Sequence, residues 1–294
     1  MECEKVEFEK IILKSMNLVI ADLCDFTKVE PFELRDIAVE ELNPELCKVS
    51  LSFSGRMLEF LMLKRLSDGC YSYRNEEFFT PYVGFTLKKP DSFDLDSMKI
   101  VPGYCLAICF EFFKAWEELL KNGFSDEELR IFRLMCALNS LAFKKGVKMY
   151  SVKAPENETR VFKVPLFFYL DETNELNRLS QLRVLWFPQE YVSENFRLPH
   201  SSHYGRVDIL ETPETDEIGL RLFIVNGARY DPETLKILSS NEKTPLSLST
   251  SLVPFIQHSD SARVLMGGKN MKQALQVGFG EEPLVKTGSE KYMH

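Results

Sequence analysis

His200 and His203 sit three residues apart, with Glu211 close behind. Two imidazoles at that spacing and a carboxylate could begin a metal site, but no fourth ligand is evident beside them. Cys105 and Cys109, four apart on an expected helix, could hold half of another. No second pair completes it, and none of the seven cysteines has CxxC spacing, so these read as buried thiols. Met266-Gly267-Gly268-Lys269 hints at a glycine-rich loop. It lacks the earlier glycine and the Ser/Thr of a phosphate cradle, and GxGxxG is absent. Arg263 offers a planar, permanently charged fork that suits phosphate oxygens, though in an arbitrary sequence a surface salt bridge, for instance with Asp260, is the favoured reading. No template for a self-contained enzyme emerges.

Composition narrows the class. The chain has 294 residues, 45% hydrophobic and 27% charged, which suits one or two globular domains. The 23 phenylalanines argue against disorder. A net charge of −8 argues against a free-standing nucleic-acid binder, yet leaves room for a subunit that touches nucleic acid through a few residues. The charged start, Met1-Glu2-Cys3-Glu4-Lys5, has no apolar core after it, so no signal peptide is expected. No apolar run spans a bilayer; the nearest, 101–113, is broken by Glu111. An odd number of thiols suits a reducing cytoplasm.

The elements that must position these residues follow from periodicity. Val6, Ile11, Ile12, Met16, Val19 and Leu23 predict a helix over 3–26. Pro31 and Pro44 mark loops, and Met57–Leu66 reads as a second apolar helix. Residues 70–103 read as short strands and loops. A helical hairpin is expected next, from Tyr104 to Lys121 and then to Lys145. Gly123 stops its first arm, and Ser125-Asp126-Glu127-Glu128 forms a capping box for the second. Leu129, Phe132, Met135, Cys136 and Phe143 form its apolar stripe. Beyond Gly146 short β-rich segments follow at 161–170, 207–210 and 220–225, with a soft boundary near 150–160.

Two blocks carry a family resemblance. Ser251-Leu252-Val253-Pro254-Phe255, then His258, Asp260, Arg263, Met266-Gly267 and Gln273-Ala274 resemble S-L-I-P-F-x-x-H-D-D-x-x-R-x-x-M-G followed by a basic residue and Gln-Ala. His200 to Glu214 resembles H-P-T-H-Y-G-R-x-x-x-x-E-T-P-E. Both patterns, in this order, belong to the fork region of the β subunit of multisubunit RNA polymerases. Residues 168–184 resemble more loosely a segment lining the RNA side of the active cleft. Pro283-Leu284-Val285-Lys286-Thr287-Gly288-Ser289-Glu290 resembles P-L-V-x-T-G-x-E just beyond the fork. Residues 1–150 carry no matched motif.

The resemblance implies an α+β fold. A mostly helical, lobe- or protrusion-like part would fill 1–155 and a strand-rich fork 156–294. It places Arg263 on the arginine that faces the triphosphate of the incoming nucleotide. It places Lys272 and Gln273 beside the RNA–DNA hybrid, where a cation and an amide suit phosphate and 2′-hydroxyl contacts. Asp171, Gln181 and Arg183 join them in the cleft, with Gln181 standing for a family histidine. Trp186 and Phe187 fall in the fork loop next to downstream DNA, where they could stack on a base or serve as core. His200, His203, Arg206, Glu211, Glu214 and Asp260 become structural members of the fork. Thr215-Asp216-Glu217 departs from the family's Gly-Pro-Asn. Most of the acidic cluster Glu211, Glu214, Asp216 and Glu217 is therefore expected to be buried in hydrogen bonds or turned toward a partner subunit.

No Asp-x-Asp-x-Asp triad occurs in the chain. In the family that triad holds the catalytic Mg2+ ions on the β′ subunit, so no catalytic residue is assigned here. The implied chain is the N-terminal fragment of a split β subunit, as in giant bacteriophages. Its expected partners are a C-terminal β fragment, the β′ subunit or its fragments, DNA template, RNA transcript and nucleoside triphosphates, with no membrane. The implied setting is the cytoplasm of a host bacterium or a virion. A different class, a non-catalytic mimic docking on a host polymerase as a regulator, shares the same residues.

Overall fold

The computed structural model describes residues 5–274 except 28–29, 31, 54–55, 66–70, 75–76, 85–89, 121–137, 145–146, 154–158, 165–166, 172, 188–192 and 241–243. Helix α1 (Lys5–Thr27) forms where the apolar spacing predicts one. Phe8, Ile12, Met16, Val19 and Ile20 all turn to one buried face. Strands β1 (Ile37–Asn43) and β2 (Leu46–Phe53) follow, joined by a turn at Pro44.

Met57–Leu66 is not a helix. It lies largely in β3 (Arg56–Arg65), antiparallel to β2 with Val49 opposite Leu61. A dense apolar run fits either period, and the long-range pairing decides it. Leu58, Leu61 and Leu63 face the core with Cys47, Val49 and Leu51, while Met57, Glu59, Met62 and Lys64 are exposed. A register shift at Val49/Ser50 breaks strict alternation.

Strands β4 (Tyr71–Arg74), β5 (Glu77–Phe79) and β6 (Tyr82–Val83) lead into α2 (Gly103–Leu120). Helix α2 is the expected first arm of the hairpin. The second arm is corrected at its end: β7 (Leu138–Lys144), which includes Phe143, is a strand. It pairs with β8 (Val147–Lys153), which pairs with β9 (Thr159–Val164). Cross-strand partners override a modest local preference for helix. The capping box and Leu129, Phe132, Met135 and Cys136 lie outside the described residues. Among its described residues the first half is thus built on strands with two long helices, and is not mostly helical.

Strand β10 (Phe167–Tyr169) completes a six-stranded sheet in the order β1-β2-β3-β4-β5-β10. Then come α3 (Glu175–Gln181), β11 (Val184–Trp186), β12 (Val207–Asp208) and β13 (Arg221–Ile224). A hairpin of β14 (Arg229–Asp231) and β15 (Lys236–Leu238) precedes α4 (Leu248–Ser251) and α5 (Ser261–Gln273). The second sheet has the order β12-β13-β11-β6.

Strands from both sides of 155/156 share the two larger sheets. Strand β10 pairs with β5 in the first of them, and β6 pairs parallel with β11 in the second. Between β6 and α2 a strap, residues 93–101, crosses to the second half. Ile100 donates its N–H to Leu235 O at 2.7 Å and accepts from Tyr230 Oη at 2.9 Å. One buried cluster accordingly runs from Phe8 to Ile237. No helix among the described residues is long and apolar enough to cross a membrane.

Candidate functional site

The His200–Arg206 block holds the strap. His203 is buried within a 3-10 turn, Ser201–His203. Its Nε2 lies 2.7 Å from Phe93 O, and a carbonyl only accepts, so Nε2 carries the proton. Its Nδ1 accepts the His200 N–H at 3.4 Å. Both ring nitrogens are therefore engaged, and His203 is no metal ligand. His200 Nδ1 accepts the Ser202 N–H at 3.2 Å, capping the same turn. Arg206 bonds Ser202 O at 3.0 Å and Asp96 at 2.7 Å. No group of three ligating side chains occurs among the described residues.

Burial holds the His203 imidazole below its ordinary pKa, partly offset by its bond to Phe93. The unfolded chain, at about 6.5, then takes up the proton first. Stability is complete above that value and is lost as pH falls toward the folded pKa. Lowering the pH from 7 to 5 is therefore expected to reduce the melting temperature. In His203→Gln, which can still donate to Phe93 O, the decline should shrink. An unaltered pH profile would assign the effect to another group.

Behind this block lies a buried carboxylate network. Asp208 is fully buried at the end of β12. Its Oδ1 accepts the N–H groups of Leu210 (2.8 Å) and Glu211 (3.2 Å). Its Oδ2 accepts the Ser247 N–H at 2.8 Å and the Thr250 hydroxyl. Glu211, 3% exposed, accepts the Ser247 hydroxyl on Oε2 and the Lys272 ammonium on Oε1 at 2.5 Å. The Lys272 Nζ also stands 4.2 Å over the Phe223 ring. Five polar side chains thus join the two motif blocks. Buried charges are tolerable only when paired and bonded in this way.

The network sets the faces of α5. Asp260 caps the helix by accepting the Arg263 N–H at 2.8 Å. Val264, Gly268 and Lys272 recur every four residues along the inner face. Gly267 and Gly268 let α5 approach: a Cβ at Gly267 would meet Val253 at 3.1 Å. Arg263, Met266, Asn270 and Gln273 form the exposed face. Among the described residues no ion pair engages the Arg263 guanidinium, and Asp260 is bonded to its backbone instead. Arg263 and Lys272 lie about 13 Å apart along the axis, on opposite faces. Lys272 thus lies on the inner face, bonded to Glu211.

The remaining candidates separate. Asp171 donates its N–H to Gln181 Oε1 at 2.8 Å, which ties the segment ahead of α3 to that helix's last residue. The Thr173 hydroxyl and N–H hold the Asp171 carboxyl below its ordinary pKa. Arg183 is clamped to the carbonyls of Val225 (2.7 Å) and Ala228 (3.4 Å), and burial lowers its pKa. Trp186 and Phe187 are core residues, 8% and 1% exposed, not base-stacking rings in a loop. Phe187 packs against Phe93 and Phe196, and fills the space above Gly84, where a Cβ would meet its ring at 2.0 Å.

Three carboxylates of the acidic cluster, Glu211, Glu214 and Glu217, are bonded within the chain. The Trp186 Nε1 donates to Glu217 at 3.0 Å, and Lys269 meets Glu214 at 2.9 Å. Asp216 offers its backbone carbonyl to Arg197 at 2.6 Å. Two residues central to the arrangement escaped sequence reasoning, Asp208 and Asn174. An aspartate ahead of the x-E-T-P-E pattern was the one available signal for the first. For the second, Asn174 lies three residues before Asn177 at a helix start, a capping position.

Against this geometry the comparisons are specific. The family model described as RNA polymerase Rpb2, domain 3, matches residues 168–223, from β10 through α3, the histidine block and Asp208 to β13. The DNA-directed RNA polymerase subunit beta of Aquifex aeolicus is 27% identical, over 42% of this chain and 13% of that protein. That of Treponema denticola is 24% identical, over 59% and 21%. That of Thermus aquaticus is 24% identical, over 42% and 17%. The chain is related to the β subunit of DNA-directed RNA polymerase. It spans about one fifth or less of the length of these relatives.

Proposed function

We propose that the chain works in DNA-directed RNA synthesis as the N-terminal fragment of a split β subunit. One observation carries the reading: the buried Asp208–Glu211–Lys272 network holds α5 so that Arg263 reaches solvent without an ion-pair partner among the described residues. A free guanidinium on a rigid helix is suited to the phosphates of a nucleoside triphosphate. Gln273 and Asn270, on the same exposed face, are suited to the sugar-phosphate backbone of a hybrid. Asp171 and Gln181 are assigned to the cleft by resemblance, and α3 meets α5 through Asn174. In this reading the Mg2+ ions of the reaction belong to the β′ subunit, and this chain adds a cation to phosphate binding. The host bacterial cytoplasm is the setting that fits.

A tagged copy expressed in its natural setting tests the assignment. It should bring down a C-terminal β fragment and β′ or its pieces in equal amounts. Recovery of a complete host polymerase instead would favour the regulator that mimics β. Recovery of neither, or nucleotide incorporation by the single chain, would overturn the proposal.

A further inference from the structure

Helix α5 ends without a stop of its own. Gln273 is followed by Ala274 in an extended conformation (φ −67°, ψ 128°), not by a left-handed glycine. Helix C-termini leave carbonyl groups without intrahelical donors. Those of Met271 and Ala274 are met from far upstream. Asn174 Nδ2 donates to Met271 O at 2.9 Å and to Ala274 O at 2.6 Å. Its Oδ1 accepts the Asn177 N–H at 2.7 Å and so caps α3. Asn174 is 8% exposed, which leaves little room for water to substitute. Ser, Thr or Asp would cap α3 as well as Asn does. Only an amide can cap it and also donate two hydrogen bonds to α5. The second task therefore sets the residue type.

We infer that Asn174 is a positioning residue: it locks the last turn of α5 to the first turn of α3 and thereby aims Arg263 at the other end of α5. The inference rests on the reading of Arg263 as a phosphate-binding group. Lys272 anchors the same turn through Glu211. Loss of the Asn174 bonds leaves α5 one polar anchor there, about which it can pivot. Arg263 stands about 13 Å along the axis from that anchor, so a tilt of about 5° moves it by about 1.2 Å. That exceeds the narrow distance range of a charge-assisted hydrogen bond.

The assembled complex provides the test. Asn174→Asp keeps the α3 cap and sets a carboxylate against two carbonyl oxygens. It should raise KM for nucleoside triphosphates by roughly fivefold to tenfold and leave kcat within about twofold. Added to Arg263→Ala, it should raise KM no further, since both changes remove one interaction. Hydrogen exchange should quicken across 268–273 but not across 175–181. Asn174→Ser caps α3 without reaching α5, and should shift KM the same way should the Asp variant fail to assemble. Unchanged KM and exchange, or a full KM effect persisting in the Arg263→Ala background, would overturn the inference. If Arg263→Ala alone leaves KM unchanged, the nucleotide reading falls. Exchange then decides the lock by itself: faster exchange upholds it and unchanged exchange overturns it.

Discussion

Asp208→Ala is expected to lower the stability of the chain by about 4 kcal/mol, the largest loss among single changes at the site. Four donors converge on this carboxylate: the backbone N–H groups of Leu210, Glu211 and Ser247, and the Thr250 hydroxyl. A hydrogen bond to a charged acceptor contributes about 1.5 to 3 kcal/mol, and a buried donor left without a partner costs about 1 to 3 kcal/mol. The sum of four overstates the loss, because the site relaxes and admits water. For a chain of this size about 2 °C per kcal/mol is usual, so the midpoint should fall by roughly 8 °C. Asp208→Asn should recover only part, since its NH2 cannot accept from Ser247 and Thr250. Chemical denaturation and calorimetry read both variants. A loss below about 1 kcal/mol for Asp208→Ala would mean that the network does not hold α4 and α5 to β12.

Arg263→Ala in the assembled enzyme should lower kcat/KM for nucleoside triphosphates by about 10- to 100-fold. A charge-assisted contact to phosphate is worth about 1.5 to 3 kcal/mol, and each 1.4 kcal/mol is about tenfold. Arg263 is exposed, and its backbone, not its side chain, meets Asp260. Stability should therefore move by no more than about 0.5 kcal/mol. DNA binding should stay nearly constant. Arg263→Lys keeps the charge without the planar fork, and should fall between. Steady-state incorporation on a primed template, with a gel-shift control, separates these effects. Unchanged kcat/KM would mean that the guanidinium meets no phosphate.

Much of this protein is local information. Helices α1 and α2 follow from apolar spacing, because a helix of many turns repeats its signal. The short strands at 159–164, 167–169, 207–208 and 221–224 follow from β-branched and aromatic runs between turn formers. The two motif blocks likewise stand in the sequence as strings. Other features were settled only by partners distant in the chain. Met57–Leu66 has apolar residues for either period, and pairing with β2 made it a strand. Leu138–Lys144 continued a helical pattern until β8 supplied a partner. Trp186 and Phe187 could be loop or core until Phe93, Phe196 and Glu217 closed over them.

The site divides in the same way. The side-chain types of Arg263, Asp260 and Lys272 determine a fork, a cap and a cation. Which face of α5 each occupies depends on Glu211 and on Thr250 beneath Gly268. Asp208 finds its acceptor role through Ser247 and Thr250, and Asn174 its donor role through Met271 and Ala274. The physical reason is one of range. Periodicity and capping act over a few residues, so the sequence alone determines them. A buried polar group must find its partner wherever folding brings one, and only the tertiary structure decides where that is.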